Sequence, residues 1–263
     1  MSLLRVEDLS VRFESGRRLF GRARGVVEAV RDVSFELAAG ETLALVGESG
    51  SGKSTLARAI LALEEAQAGR VLYTRVDGEE LSLLELPAGR LRALRPELQI
   101  VFQNPGASLN PRFRVGELLA EAPRLQLGLD TSELERRVSA ALDRVGLGAE
   151  AARRFPHEFS AGQRQRIAIA RALILEPRVL VCDELTSSLD VSVQAGILNL
   201  LFELQEERGL AYLFIAHDLA VVRVLAHRVA VMRAGRLVEV APAEQLFEEP
   251  EHEYTRALLA SSL

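Results

Sequence analysis

A single cysteine, Cys182, among 263 residues excludes an internal disulfide framework and fits a reducing compartment. No uncharged apolar run reaches the roughly eighteen residues that a membrane-crossing helix needs. Residues 1–13 carry charges throughout and alternate like a strand, so they do not read as a secretory signal. The chain is therefore expected to be soluble by itself, with any membrane role carried by partners. An excess of positive charge is also missing: the formal net charge is -5, which offers no general attraction to nucleic acid. Lysine is the scarcest of the charged residues, with one, Lys53, against thirty-one arginines.

Arginine presents a planar five-donor fork, whereas lysine is a compact, mobile ammonium that acts as a point charge between phosphate oxygens. A lysine surviving a drift toward arginine would fall anywhere among the thirty-two cationic positions; this one falls in Gly47-Glu48-Ser49-Gly50-Ser51-Gly52-Lys53-Ser54-Thr55. The pattern Gly-x-x-x-x-Gly-Lys-Ser is a phosphate loop, and the lysine marks a place where the fork does not fit.

Alternating apolar residues over 3–13 and 26–37 predict two strands, and the basic stretch between them, with Arg17, Arg18, Arg22 and Arg24, reads as a solvated hairpin loop. Residues 42–46 are wholly apolar apart from Thr42, a run of the buried-strand kind, and they feed the glycine loop and a helix from Lys53 to about Leu63. A further strand ends at Val101 and Phe102. From residue 104 helices dominate, with Ser132 and Glu135 expected as a capping box and Gly146 or Gly148 as the stop. Ser160 caps a helix that Pro177 ends, residues 179–182 and 211–215 are buried strands, and a long helix over 192–208 between them is stopped by Gly209. Beyond residue 228 a hairpin turning at Ala234 and Gly235 leads into terminal helices. Because the β/α alternation resumes after residue 160, residues 104–160 read as an insertion into an α/β core. The expected layout is one cassette: a core with an N-terminal antiparallel β subdomain over 1–103 and 161–240, a helical subdomain over 104–160, and a helical tail over 241–263.

Each strand end carries chemistry. In the loop, backbone amides and a helix N-terminus converge on phosphates, Lys53 bridges the β- and γ-phosphates, and Ser54 offers a hydroxyl to Mg²⁺. Val179-Leu180-Val181-Cys182-Asp183-Glu184 ends a buried strand in two carboxylates, so Asp183 is a candidate to hold the metal and Glu184 to orient and deprotonate an attacking water. Gln103, ending the strand at 99–102, is a candidate for both the metal and the water. His217, after Phe214-Ile215-Ala216, is a candidate γ-phosphate contact. Ser160-Ala161-Gly162-Gln163 opens a helix and forms a second anion site, which one phosphate loop uses only if it serves a nucleotide on another molecule.

Together these five motifs resemble, in order and over nearly the whole chain, the ATP-binding cassette (ABC) ATPases. The segment at Ser160 to Gln163 separates that family from other phosphate-loop ATPases and GTPases. The resemblance implies a phosphate-loop α/β fold, the cofactors ATP and Mg²⁺, and a head-to-tail dimer with a second ATPase subunit, identical or paralogous. In that dimer Ser160, Ala161, Gly162 and Gln163 of one subunit complete the phosphate site of the other, and Ser188-Leu189-Asp190 is similar to the loop that communicates across it. An aromatic of the first strand stacks on adenine in the family; Phe13 is the candidate, although its position equally suits a core phenylalanine.

Val101-Phe102-Gln103-Asn104-Pro105, Ser108-Leu109-Asn110-Pro111-Arg112 and the tail Tyr254-Thr255-Arg256-Ala257-Leu258-Leu259 resemble the oligopeptide, dipeptide and nickel importer ATPases. This implies a subunit peripheral on the inner face of the membrane, two permease subunits docking beside the helical lobe, a solute-binding protein acting indirectly, and no nucleic acid partner. A non-transport ABC ATPase of DNA repair or translation is the rival; coiled coils, zinc modules or a tandem cassette would mark it, and none is present in this sequence. The departures from the family pattern are Ala161 for glycine, Leu185 for proline, Ala216 for a hydroxyl residue and Glu253 for proline. None removes a catalytic group, so hydrolytic competence is expected. The cysteine-bearing C-terminal extension of longer relatives is absent from the sequence, so no iron-sulfur cluster is expected.

Overall fold

The alternation of the first strand slips at Asp8. In the computed structural model, which describes residues 2–15, 25–103, 105–185 and 190–262, β1 (Ser2–Ser15) buries Leu4 and Val6, then Leu9 and Val11. A regular strand cannot change parity in this way. Its antiparallel register with β2 (Gly25–Ala38) shifts between Val6 and Leu9, where Asp8 has φ 49 and, on β2, Asp32 has φ 48. Two serines satisfy the groups that the bulge leaves out of the ladder. Ser34 Oγ accepts the Asp8 N–H at 2.8 Å, and Ser10 Oγ accepts that of Asp32 at 3.0 Å. The basic stretch with Arg17, Arg18, Arg22 and Arg24 lies outside the described residues, as do Asn104, Ser188 and Leu189.

The chain divides into two compact units, Met1–Leu91 with Ala211–Leu263, and Arg92–Leu210. In the first unit, β4 (Ala68–Thr74) and β5 (Glu80–Ser82) extend the antiparallel sheet to the order β2-β1-β4-β5. A second group of strands centres on β3 (Thr42–Val46), which pairs in parallel with β8 (Ala211–Ile215) and β9 (Arg228–Arg233), while β10 (Arg236–Pro242) returns antiparallel to β9. Every residue of β3 and β8 is buried, which explains their unbroken apolar character.

Helix α1 (Lys53–Ile60) stops about three residues short of the sequence expectation. Ala62 turns left-handed at φ 49, its N–H meets Ala59 O at 2.9 Å, and the Leu63 N–H reaches back to Arg58 O at 2.8 Å. This is a Schellman ending built without glycine, so composition gave no warning of it. Helix α2 (Ala88–Leu94) crosses the unit boundary, and α8 (Leu219–Leu225), α9 (Ala243–Glu248) and α10 (Glu253–Ser262) complete the first unit.

In the second unit, β6 (Leu98–Val101) runs parallel to β7 (Val179–Asp183), with Val101 opposite Cys182. From 105 to 158 every described element is helical: α3 (Pro105–Ser108), α4 (Val115–Leu127), α5 (Thr131–Arg144) and two short 3-10 turns. The start of α5 corrects the expected capping box at Ser132 and Glu135. The cap is Asp130, whose carboxylate accepts the Glu133 N–H at 2.9 Å. Gly146, at φ 72, is the residue that turns the chain out of this helix.

Helices α6 (Ala161–Leu173) and α7 (Val191–Arg208) follow. Arg166 of α6 donates to Val145 O, at the end of α5, at 2.8 Å. It also passes so close to α7 that a Cβ on Gly196 would lie 2.6 Å from its guanidinium, so three helices share one cation. Among the described residues no helix is long and apolar enough to cross a membrane.

Candidate functional site

At the end of β3 the chain turns through residues 47–52 into α1. Gly47 has φ 147, and a Cβ there would stand 2.1 Å from Met232 O; Gly52 has φ 106, and its Cβ would stand 2.1 Å from Ala29 O. Both positions require glycine, for backbone conformation and for space. Lys53 is 4% exposed, and its Nζ donates to Gly47 O at 2.7 Å, Glu48 O at 2.8 Å and Ser51 Oγ at 3.4 Å. Three acceptors converging on one nitrogen suit a tetrahedral ammonium and not a planar fork, which accounts for the lone lysine. Glu48, Ser49 and Gly50 lie exposed on the loop, and Ser54 and Thr55 are half-buried in the first turn of α1. That turn carries no acidic residue, so the positive end of the helix dipole is not neutralised by its own side chains.

The parallel pairing of β3 with β8 sets Leu45 opposite Ile215. Continuing that register brings Gly47 and His217 out of the same carboxyl edge, where ligands of open parallel sheets bind. His217 is exposed, and Asp218 beside it caps α8 by accepting the Ala220 N–H at 2.9 Å. Phe13, opposite Val27, is 38% exposed, so it is not a core phenylalanine.

The second unit repeats the device. Since Val101 faces Cys182 across β6 and β7, Gln103 and Glu184 stand level two residues further on, and Gln103 Nε2 donates to Glu184 Oε2. Glu184 adopts a left-handed backbone, φ 51, at a cost of about 1–3 kcal/mol for a residue with a side chain. Asp183 is 3% exposed at the strand end. Burial, and then the charge of Asp183, push the Cys182 thiol up from its ordinary pKa.

Helix α6 opens with the spacing anticipated for it. Ser160 Oγ accepts the Gln163 N–H at 3.3 Å, and Gln163 Oε1 accepts the Ser160 N–H at 3.0 Å. Ser160, Ala161 and Gln163 are exposed, whereas Gly162 is buried against α7, where a Cβ would meet Val193 Cγ1 at 2.5 Å. Asp190 caps α7 by accepting the Val193 N–H at 2.9 Å and the Ser192 hydroxyl at 2.7 Å; these two bonds hold its carboxyl below the ordinary value. The starts of α6 and α7 are thus packed together through Gly162 and Val193. Two supports of the glycine loop had no sequence signal: the Tyr254 hydroxyl accepts the Glu48 N–H at 3.1 Å, and the Gly235 N–H donates to Ser51 O at 3.0 Å.

Residues 30–187 match the model of the ABC transporter family. Over 259 residues the chain is 51% identical to the glutathione import ATP-binding protein GsiA of Escherichia coli O157:H7, and 49% identical to that of Pectobacterium atrosepticum. Both alignments cover 98% of this chain and 41% of the relative, so the chain spans less than half the length of the curated relatives it matches. Among solved structures it resembles the dimeric post-hydrolysis state of the ATP-binding cassette MJ0796 bound to ADP and Pi, with TM-score 0.78, 26% identity, and 91% of this chain and 98% of that one covered. It also resembles cbiO1 of Clostridium perfringens, part of the ABC transporter complex cbiONQ, with TM-score 0.77, 29% identity and 94% and 91% covered. With a family match that runs from the second strand through the glycine loop to the carboxylates ending β7, the chain belongs to the ABC transporter family and has the fold of its ATP-binding cassettes.

Proposed function

We propose that this chain binds and hydrolyses ATP to energise a membrane importer for oligopeptides or dipeptides, with nickel or another small solute as the alternative cargo. The observation that carries the proposal is the loop at 47–55, a tight glycine turn in which a Cβ at Gly47 or Gly52 would strike the carbonyls of Met232 and Ala29, and which gathers its own carbonyls around the Lys53 ammonium. Such a loop takes phosphate oxygens. The donors assigned to Mg²⁺, the Ser54 hydroxyl, the Asp183 carboxylate and the Gln103 amide oxygen, are the hard oxygens this cation prefers. When bound, the cation would neutralise charge on the phosphates.

In this proposal Phe13 stacks on adenine, residues 47–55 hold the phosphates and His217 contacts the γ-phosphate. Glu184, oriented by Gln103, accepts the proton of the attacking water. Ser160, Ala161, Gly162, Gln163 and Asp190 serve the nucleotide of a second ATPase subunit, identical or paralogous. Ser160 keeps an exposed hydroxyl whose hydrogen is not used by its capping bond, which suits it to a partner's phosphate. Within the cassette, 104–160 acts as the helical subdomain, 1–103 and 161–240 as the catalytic core, and 241–263 as its tail.

The helical subdomain also offers a place for a permease. A cleft of about 450 Å³ is lined by Phe113, Leu118 and Leu125, with Glu117, Glu121 and Arg124 around it. Phe113 and Leu125 are 48% and 78% exposed, and we assign this cleft to a permease helix that holds the subunit on the inner face of the membrane. The glutathione import proteins support a peptide cargo, since glutathione is a small peptide. The test is nucleotide-driven uptake by vesicles holding the chain together with two permease subunits. Mg-ATP should drive accumulation of a di- or oligopeptide presented by the solute-binding protein. Co-purification with ribosomes or DNA instead of membranes would overturn the proposal.

A further inference from the structure

The hydrogen bond from Glu48 to Tyr254 joins the phosphate loop to a helix that starts some two hundred residues later, since the two residues are 206 apart in sequence. Tyr254 lies in the first turn of α10 and is 7% exposed. Its hydroxyl accepts the N–H of Glu48, the first amide after Gly47, at 3.1 Å. The guanidinium carbon of Arg233, the last residue of β9, sits 4.7 Å from the centre of its ring. The helix start is itself bound down: Glu239 of β10 accepts the N–H groups of Glu251 at 2.9 Å and His252 at 3.0 Å, and His252 Nδ1 accepts that of Tyr254 at 3.0 Å.

A second tether meets the other end of the loop. In the turn between β9 and β10, the Gly235 N–H donates to Ser51 O at 3.0 Å, and Gly235 O accepts the Arg31 N–H at 2.7 Å. The segment from Glu48 to Ser51 is therefore held at both ends by groups outside the strand, loop and helix that contain it. Packing alone would not demand a tyrosine, because a phenylalanine would fill the same space and lie under the same guanidinium. What the hydroxyl adds is one directed bond to one amide of the loop.

We infer that Tyr254 is a positioning residue for nucleotide binding. Its hydroxyl fixes the Glu48 peptide plane, keeps the loop in its phosphate-binding shape, and so makes the affinity of the site depend on the seating of the C-terminal helix. The inference rests on the proposal that the loop binds ATP. Without the hydroxyl, the Glu48 amide loses its partner and the loop visits other conformations, so affinity falls by the fraction of time the competent one is lost.

Tyr254→Phe in the full chain tests this with two measurements: amide hydrogen exchange without nucleotide, and equilibrium binding of Mg-ATP. The expected results are exchange over residues 48–52 faster by about two- to tenfold, the range corresponding to one ordinary hydrogen bond, a Mg-ATP Kd weakened by a similar factor, and unchanged exchange in β7. Unchanged loop exchange and unchanged Kd would overturn the inference. So would faster exchange spread evenly over the protein, which marks a role in global stability alone. Failure of the unsubstituted chain to bind Mg-ATP would overturn the ATP proposal and the nucleotide role of Tyr254 together, while the exchange comparison would still decide whether the hydroxyl tethers the loop.

Discussion

Gln103 donates its side-chain amide to the carboxylate of Glu184, and the two meet because parallel strands β6 and β7 release them at the same height. The left-handed backbone of Glu184 is a local cost that regular strand geometry would avoid, and it accompanies the meeting of that carboxylate with Gln103. A carboxylate held by an amide donor keeps lone pairs for a water proton, the arrangement a general base needs.

Glu184→Gln should therefore separate binding from turnover. The substitution preserves size and hydrogen bonding while removing the base, so equilibrium Mg-ATP affinity is expected to remain within a fewfold of the original. Steady-state hydrolysis should fall by about a hundredfold or more, in line with measured general-base contributions. Near-normal turnover would remove Glu184 from its assigned role.

Gly162→Ala should be costly for a reason unconnected with nucleotide. The added methyl would stand 2.5 Å from Val193 Cγ1, and a β-branched side chain in a helix has little freedom to turn away. Overpacking of this kind costs about 1–3 kcal/mol, read as a lower urea midpoint. Adding Val193→Ala should restore part of the loss, giving a favourable coupling in the double-mutant cycle. Additive losses would show that the two helix starts do not depend on this contact.

Cys182 should be chemically silent until the protein unfolds. It is fully enclosed, and both burial and the neighbouring Asp183 oppose the thiolate that reacts with alkylating reagents. Iodoacetamide at mildly alkaline pH is expected to leave the native chain unmodified and to label it fully in denaturant. Rapid labelling of the native chain would contradict the placement of β7 in the core.

The buried strands were legible because nothing polar interrupts the interior of β3, β7 or β8, and the capping box of α6 because Ser160 and Gln163 stand three apart. The start of α5 is ambiguous in the sequence because Asp130 with Glu133 and Ser132 with Glu135 present the same pattern two residues apart, and periodicity does not choose between them. The structure begins at the earlier pair, with the Leu134 N–H already bonded to Asp130 O at 3.0 Å. Phe13 could be written as an adenine platform or as core, and only its exposure excludes the second. The hydroxyl of Tyr254 on the Glu48 amide left no trace in spacing, because a contact between residues 206 apart has no local period.

The most direct test of the phosphate-loop claim uses the scarcity of lysine. Lys53 carries the only ε-amine in the chain, so an amine-reactive reagent followed by peptide mass analysis reports on that single side chain and the N-terminus. Bound Mg-ATP should slow modification at Lys53 strongly while leaving the N-terminal amine unchanged. Measurable modification of Lys53 without nucleotide that Mg-ATP leaves unchanged, under conditions where the N-terminus reacts normally, would contradict the assignment of this loop to phosphate.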